Sequence, residues 1–280
     1  MKHILLILLV VLIPGLAACS CENTDIPQKI GPGASGTEKT GKKPGSGAKN
    51  KLPVMGSYQI LKVPVEELSG LCLNKDQSGL WAVGDEGALC AVSFTGNVTP
   101  VFSSRLDLEG ITLNPATGDL LLAVEGDQMV CRLSASDYKT LDTLFSVKEA
   151  LERDFDNSGL EGITFYKDSL LMVGSQEDAL LWTYRFDGTL VSRISLLGET
   201  SLIEEIAGLC YDPVKDWLWV TDSDAQRLFI FSAGEFDLVA SYAVPFIDNA
   251  ESICVDRARN CVWVGSDEDS PKLYKISFTF

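Results

Sequence analysis

A unit of one pattern recurs along this chain, beginning at residues 68, 108, 160, 206 and 250. Each unit has a short apolar run, a turn rich in Asp, Asn, Pro, Lys or Gly, a second apolar run, an acidic turn and a third apolar run. The most similar copies are LEGITL at 108–113 and LEGITF at 160–165. Short apolar runs between such turns are typical of β-strands, so the sequence predicts a series of all-β units.

The spacing of the units predicts how they assemble. A fourth β-like run follows each of the first four units, so that one unit has four strands and roughly 40 to 50 residues, as in a β-propeller blade. The fifth unit has three such runs before Phe280, and YQILKVP at 58–64 precedes the first unit. We therefore expect a five-bladed β-propeller of four-stranded blades, closed by the N-terminal strand so that no sheet edge is left open.

The first residues have the features of a targeting segment. Residues 1–18 combine a short basic start with an apolar run that is too short to span a bilayer, which indicates a signal peptide. The run ends in Leu-Ala-Ala before Cys19, which resembles the lipobox of bacterial lipoproteins. This resemblance implies a lipid on Cys19, and Ser20 after it favours the outer membrane of the cell envelope. A secreted protein cleaved nearby and an uncleaved signal anchor are the alternatives.

Two further segments follow the signal peptide. Residues 19–55 are rich in Gly, Pro, Ser, Thr and Lys, a composition that cannot bury a core and that predicts a flexible tether. Residues 56–280 have the length of one domain and hold all the repeats. A short amphipathic helix is predicted at 146–159, between the second and third units.

Composition excludes several classes of function. The net charge is −16 at pH 7, and such an acidic chain repels nucleic acid, whose phosphates need a basic face. It suits divalent cations or cationic partners instead. The one histidine, His3, lies in the predicted signal peptide. The mature protein therefore has no histidine for a Ser-His-Asp triad, a Cys-His pair or a histidine-ligated zinc site.

Other repeated positions predict packing. Cys72, Cys210 and Cys254 share one position of the repeat, and we expect them to face separate blade cores as free thiols that act as small hydrophobes. No CxxC pair supports a redox or zinc site. Tryptophans share a position in the second strand of three units, where packing between blades is expected; they are Trp81, Trp219 and Trp263.

Acidic residues recur at two positions that a propeller brings to one end of its central channel. Glu109, Glu161 and Glu251 hold the second position of the first strand, and the turn after the second strand is acidic in every unit. Several carboxylates without histidine suit Ca²⁺, and Mg²⁺ less well. The predicted metal ligands are Glu109, Glu161, Glu251, Glu125, Glu177, Asp222 and Asp267. The alternative is that these acids lock turns or are solvated.

The LEGI strand, followed by Ala-Val or Trp-Val and an acidic turn, resembles the SdiA-regulated, YjiK-like family of bacterial β-propellers, and more broadly NHL-type and phytase-like propellers. This resemblance implies an exported, calcium-binding propeller, and a phytase-like member would hydrolyse phosphate esters. We expect a monomeric, membrane-tethered module whose acidic channel mouth binds calcium and an unidentified small-molecule or protein ligand. A calcium-assisted hydrolase of phosphate esters or lactones is the alternative, and a structural scaffold is the third interpretation.

Overall fold

The computed structural model describes residues 51–147, 159–167 and 169–280. The helix predicted at 146–159 falls mainly on residues that lie outside this description. The strands are β1 (Val54–Lys62), β2 (Leu68–Leu73), β3 (Gly79–Gly84), β4 (Ala88–Ser93), β5 (Val98–Ser103), β6 (Leu108–Leu113), β7 (Leu120–Val124), β8 (Met129–Leu133), β9 (Leu141–Ser146), β10 (Leu160–Tyr166), β11 (Leu170–Ser175), β12 (Leu180–Arg185), β13 (Leu190–Ser195), β14 (Gly208–Asp212), β15 (Trp217–Asp222), β16 (Arg227–Ser232), β17 (Leu238–Ala243), β18 (Ala250–Asp256), β19 (Cys261–Ser266) and β20 (Lys272–Thr279). Short 3-10 helices lie at Glu177–Ala179, Leu196–Gly198 and Arg257–Arg259.

These strands form five four-stranded antiparallel sheets, which confirms the predicted five-bladed propeller. Blades 1 to 4 are β2–β5, β6–β9, β10–β13 and β14–β17, and blade 5 is β18–β20 completed by β1. β1 pairs antiparallel with β20, from Val54 opposite Thr279 to Lys62 opposite Lys272. The N-terminal strand therefore closes the ring as predicted. None of the described helices is long and apolar enough to span a membrane.

The first strand of each blade is the inner one, and neighbouring inner strands contact each other in the order β2, β6, β10, β14, β18 and back to β2. We call the face at which these strands begin the mouth face. β18 begins there, so β20 begins there too and runs away from it, because β18, β19 and β20 are successive antiparallel neighbours. β1, antiparallel to β20, therefore starts on the opposite face.

Glycine follows the repeated glutamate because the inner strands approach closely. A Cβ atom on Gly110 would lie 2.3 Å from the main-chain oxygen of Glu161, and one on Gly208 would lie 2.5 Å from that of Glu251. Real Cβ atoms do not tolerate such contacts, so these positions need glycine. The LEGI motif thus sets the spacing of the strands that surround the axis.

Aromatic side chains pack between blades, as the sequence predicts. Trp263 of blade 5 stacks with Phe94 of blade 1 at 5.5 Å between ring centroids. Trp219 of blade 4 meets Phe278 of blade 5 edge-on at 5.3 Å. Burial of such large rings is a major stabilising contribution in propeller packing.

The cysteines pack largely as predicted. Those in the described residues are free thiols, and Cys72, Cys210 and Cys254 pack against three different hydrophobic clusters. In addition, Cys210 and Cys254 are hydrogen-bonded, and Cys72 lies within electrostatic reach of both. Equivalent positions on the inner strands therefore also approach one another near the axis.

Candidate functional site

The repeated glutamates lie at bulges in the inner strands. The pairing of the first two strands shifts register between Leu108 and Gly110, between Leu160 and Ile163, and between Ala250 and Ser252. The skipped residues include Glu109, Glu161 and Glu251. A bulge leaves a residue out of the ladder and re-aims its side chain. This explains how a glutamate can stand inside an otherwise apolar strand.

Five glutamates meet near the axis at the mouth face. Glu161 is 5% exposed, and the charges that act on its carboxyl group are those of the other four. We call this group the axial cluster; its members are Glu109, Glu125, Glu161, Glu205 and Glu251. Four of the predicted residues and Glu205 thus lie within electrostatic reach of one another, although no three of the five have carboxylate oxygens within 4.8 Å of each other.

Burial and mutual repulsion raise the pKa values of these carboxyl groups. Burial, then a hydrogen bond with Asp107, raises the pKa of Glu109 to about 9. Burial raises the pKa of Glu205 and of Glu251 to about 7, with additional acidic neighbours contributing. The pKa of Glu161 is raised well above its usual value, first by burial and then by the charges of its four neighbours. A bound cation would reverse both effects.

The members differ in what their oxygens contact. Glu125 Oε1 accepts from the main-chain N–H of Gly159 at 2.7 Å, and Glu205 Oε1 accepts from that of Ser223 at 3.0 Å. Glu251 Oε2 is buried and has no hydrogen-bond partner among the described residues. Glu251 is also hydrogen-bonded to the side chain of Ser223. Buried polar groups normally have partners, so Glu251 Oε2 is the atom of the cluster that packing leaves unexplained.

A chain of acids links the axial cluster to the rim. One carboxylate oxygen each from Asp85, Asp107 and Glu109 lie within 4.8 Å of one another, and the same holds for Glu67, Asp85 and Glu86. Sequence reasoning missed Asp107. It precedes strand β6 just as Glu67 precedes β2, so alignment of this position across the units would have identified it.

A shallow pocket of about 450 Å³ opens at the rim between blades 5 and 1. Acids dominate its lining, which consists of Glu66, Glu67, Glu86, Asn249, Asp267, Glu268, Asp269 and Pro271. Asp267 therefore lies at this pocket, and its charge acts on Glu251 of the axial cluster.

The two remaining predicted ligands lie elsewhere. Asp222 is fully buried and accepts from the main-chain N–H groups of Glu204 at 2.7 Å, Glu205 at 3.3 Å and Ala225 at 2.8 Å. It locks the turn after β15 and positions Glu205. Glu177 is exposed in a 3-10 helix, and Gln176 holds the position equivalent to Glu125 by strand register.

We expect stability in metal-free buffer to fall as the pH rises from about 5 to about 9. The pKa is about 7 for Glu205 and Glu251 and about 9 for Glu109 in the folded protein, against an ordinary value of 4.5. Between these values the folded state keeps protons that the unfolded chain has released, so raising the pH removes stability. Melting temperatures measured with a chelator across this range check it. A melting temperature that climbs steadily with pH would contradict it.

No protein-family model matches the sequence, and no curated protein matches it either. Solved structures do resemble the fold. A glutaminyl cyclase from Myxococcus xanthus has a TM-score of 0.59 at 13% identity, covering 78% of this chain and 94% of that chain. A gluconolactonase from Xanthomonas campestris has a TM-score of 0.54 at 12% identity, covering 80% and 90%. In a nidogen/laminin complex, a chain matches with a TM-score of 0.52 at 15% identity, covering 80% and 89%.

At these identities the likeness establishes the fold alone. The chain is a β-propeller protein, and its distinguishing feature is the cluster of buried carboxyl groups at the mouth of its central channel.

Proposed function

We propose that this propeller is a binding module whose axial cluster holds a divalent cation, Ca²⁺ in the first place, and that the cation and the acidic rim present a docking face to a ligand. Glu109, Glu161 and Glu251 are the central ligands, and Glu125 supports them. Asp267 lies further out, at the rim pocket.

One observation carries this proposal: the carboxyl group of Glu161. It is 5% exposed and lies within reach of the charges of four other glutamates, and one of these, Glu251, has a buried Oε2 without a hydrogen-bond partner among the described residues. An uncompensated carboxylate in such a place costs several kcal/mol. A divalent cation removes the repulsion and supplies the partner at once.

The donor set favours calcium over other cations. The cluster offers carboxylate oxygens alone, and Ca²⁺ takes about 6–8 oxygen ligands in flexible geometry. Mg²⁺ demands a near-ideal octahedron and dehydrates reluctantly, so it is usually bound through only one or two carboxylates. Zn²⁺ and copper prefer nitrogen and sulfur donors.

The test is the melting temperature of the chelator-treated protein at pH 7.5 as calcium is added from about micromolar to millimolar concentration. We expect it to rise, because a ligand that binds only the folded state stabilises it by about 2.7 kcal/mol at 100 times its dissociation constant. Glu161→Gln should lose most of this rise and should be as stable as the parent, or slightly more so, without metal. The exposed Glu177→Gln is the matched control and should keep the full response.

If the acids of the axial cluster have only a structural role, the opposite result is expected. The parent should then show no calcium response, and Glu161→Gln should lose stability in every buffer. A flat calcium titration of the parent would overturn the cation site.

A second candidate function is calcium-assisted hydrolysis of a lactone or phosphate ester. Two of the similar structures are titled as enzymes, a glutaminyl cyclase and a gluconolactonase. Glu205 and Glu251, with pKa values of about 7, are suited to act as general bases near neutral pH. The charged neighbours that act most on the cluster are acids, however, and a phosphatase needs cations to hold phosphate. Turnover of a lactone by the calcium-loaded protein that Glu251→Gln abolishes would favour this candidate.

The cellular setting and family remain proposals from the sequence. We propose a lipid anchor on Cys19, a monomer tethered by the segment from Cys19 to the start of β1 at Val54, an outer-membrane location, and kinship with the SdiA-regulated, YjiK-like propellers. Membrane fractionation of a Cys19→Ala chain tests the anchor: it should become soluble.

A further inference from the structure

A second set of side chains of a kind that metals bind lies below the glutamates on the same axis. Cys72, Cys210 and Cys254 share one position of the inner strand, which Thr112 and Thr164 hold in the other two blades. The three cysteines come from blades 1, 4 and 5, which are consecutive because the ring closes between blades 5 and 1. Cys254 follows Glu251 by three residues, which corresponds to about 10 Å of strand.

Two of these thiols contact each other directly. The Cys254 thiol donates a hydrogen bond to the sulfur of Cys210, and the main-chain N–H of Val255 donates to the same sulfur at 3.3 Å. Both bonds favour the thiolate form of Cys210 and lower its pKa, whereas the shared hydrogen bond and burial raise the pKa of Cys254, and burial raises that of Cys72. Cys72 is near enough for its charge to act on both partners. The three sulfur atoms are not all within 4.8 Å of one another, so Cys72 stands slightly apart from the pair.

We propose that Cys210 and Cys254 bind a soft monovalent cation of the Cu(I) class on the axis, and that Cys72 joins them as a third ligand by rotation of its side chain. The ion displaces the thiol protons of Cys210 and Cys254, which leave to solvent on binding. Thiolates select Cu(I) over hard cations. Zn²⁺ needs a fourth ligand for its tetrahedron, which these three residues do not supply.

The fold itself gives a variant that separates this role from a structural one. Thr112 Oγ1 accepts from the N–H of Phe165 at 3.0 Å, and Thr164 Oγ1 accepts from that of Tyr211 at 2.9 Å. Cys210 makes the equivalent bond to Val255. The residue at this position therefore accepts a hydrogen bond from a main-chain N–H group on the free inner edge of the next strand. A threonine in place of Cys210 keeps that hydrogen bond and removes the metal ligand.

The experiment is an anaerobic titration of the reduced full-length chain with Cu(I) against a competing Cu(I) chelator. The chain carries Cys19→Ser and Cys21→Ser, so that the N-terminal thiols do not contribute. We expect one tightly bound equivalent with a thiolate-to-copper charge-transfer band. Cys210→Thr and Cys254→Thr should each lower the affinity at least 100-fold while keeping the melting temperature of the copper-free parent. Cys131→Ala, which removes a buried thiol of blade 2, should bind as the parent does.

Several results would overturn the site. They are the absence of binding in competition with the chelator, parent-like binding by both threonine variants, and an equal loss in Cys131→Ala. If either threonine variant fails to fold, X-ray absorption of the copper-loaded parent decides: sulfur ligands alone support the site, and nitrogen or oxygen ligands contradict it. Calcium binding by the axial cluster is not required for any of these outcomes.

Discussion

We expect removal of β1 to abolish cooperative folding of the propeller, which is the largest effect among these predictions. Removal of the chain before β1 should leave folding intact. Deletion of 20–62 takes away the fourth strand of blade 5 and exposes the long edge of β20. Tyr58 of β1 is 9% exposed and stacks on Phe246 at 4.1 Å between ring centroids. Its Leu61 is buried between blades 5 and 1. An exposed strand edge with an apolar face also favours aggregation.

The matched control is deletion of 20–50, which keeps every described residue and should unfold as the full-length chain does. Thermal unfolding followed by circular dichroism compares the two. A finer test is Tyr58→Ala, which should cost about 3 kcal/mol of unfolding free energy. Gln59→Ala, on the exposed side of the same strand, should cost less than about 0.5 kcal/mol. A deletion of 20–62 that still melts cooperatively at the parent temperature would show that blade 5 does not depend on β1.

Gly110→Ala gives the second large effect, a loss of about 3 kcal/mol in unfolding free energy. The new Cβ atom would lie 2.3 Å from the main-chain oxygen of Glu161 and 3.0 Å from the main-chain nitrogen of Ile163. Both atoms belong to the backbone of the next inner strand, so no side-chain rotation relieves the contact. Strand β10 must shift outward, and Glu161 shifts with it. We therefore expect this variant to lose calcium stabilisation along with stability.

Gly198→Ala is the control, because a Cβ atom there has nothing within 4 Å. It should be neutral or slightly stabilising, since alanine restricts the unfolded chain. Urea unfolding of both variants measures the difference. Equal stability of the two would mean that the inner strands are not packed as tightly as the motif implies.

The number of blades and the closure of the ring could be predicted because both depend on local pattern. Each strand carries its own apolar run and turn residues. The fifth unit lacks a fourth strand, and an extra strand precedes the first unit. The placement of Glu109, Glu161 and Glu251 at equivalent bulges follows from the symmetry of the repeat. The hydrogen bond between Cys210 and Cys254 could not be predicted, because it depends on how closely two inner strands approach.

The turns were harder to predict because acids at similar positions perform different tasks. Asp222 ends β15 and points into its own turn, whereas Asp267 lies one residue later by register and reaches the rim. Glu177 was aligned by residue type, although Gln176 occupies the equivalent place. A one-residue offset reverses the direction of a side chain at the end of a strand. Sequence letters alone do not reveal that offset without the strand pairing.

The direction of β1 has a consequence for how the molecule is oriented. Val54 and Thr279 are paired at the face opposite the mouth, so both the entry into the first strand and the exit from the last lie there. A chain attached through the segment before β1 would be attached on the face opposite its acidic mouth. The same geometry makes the start of β1 and the end of β20 suitable points for immobilisation on a sensor surface, because both lie on the face opposite the acidic mouth.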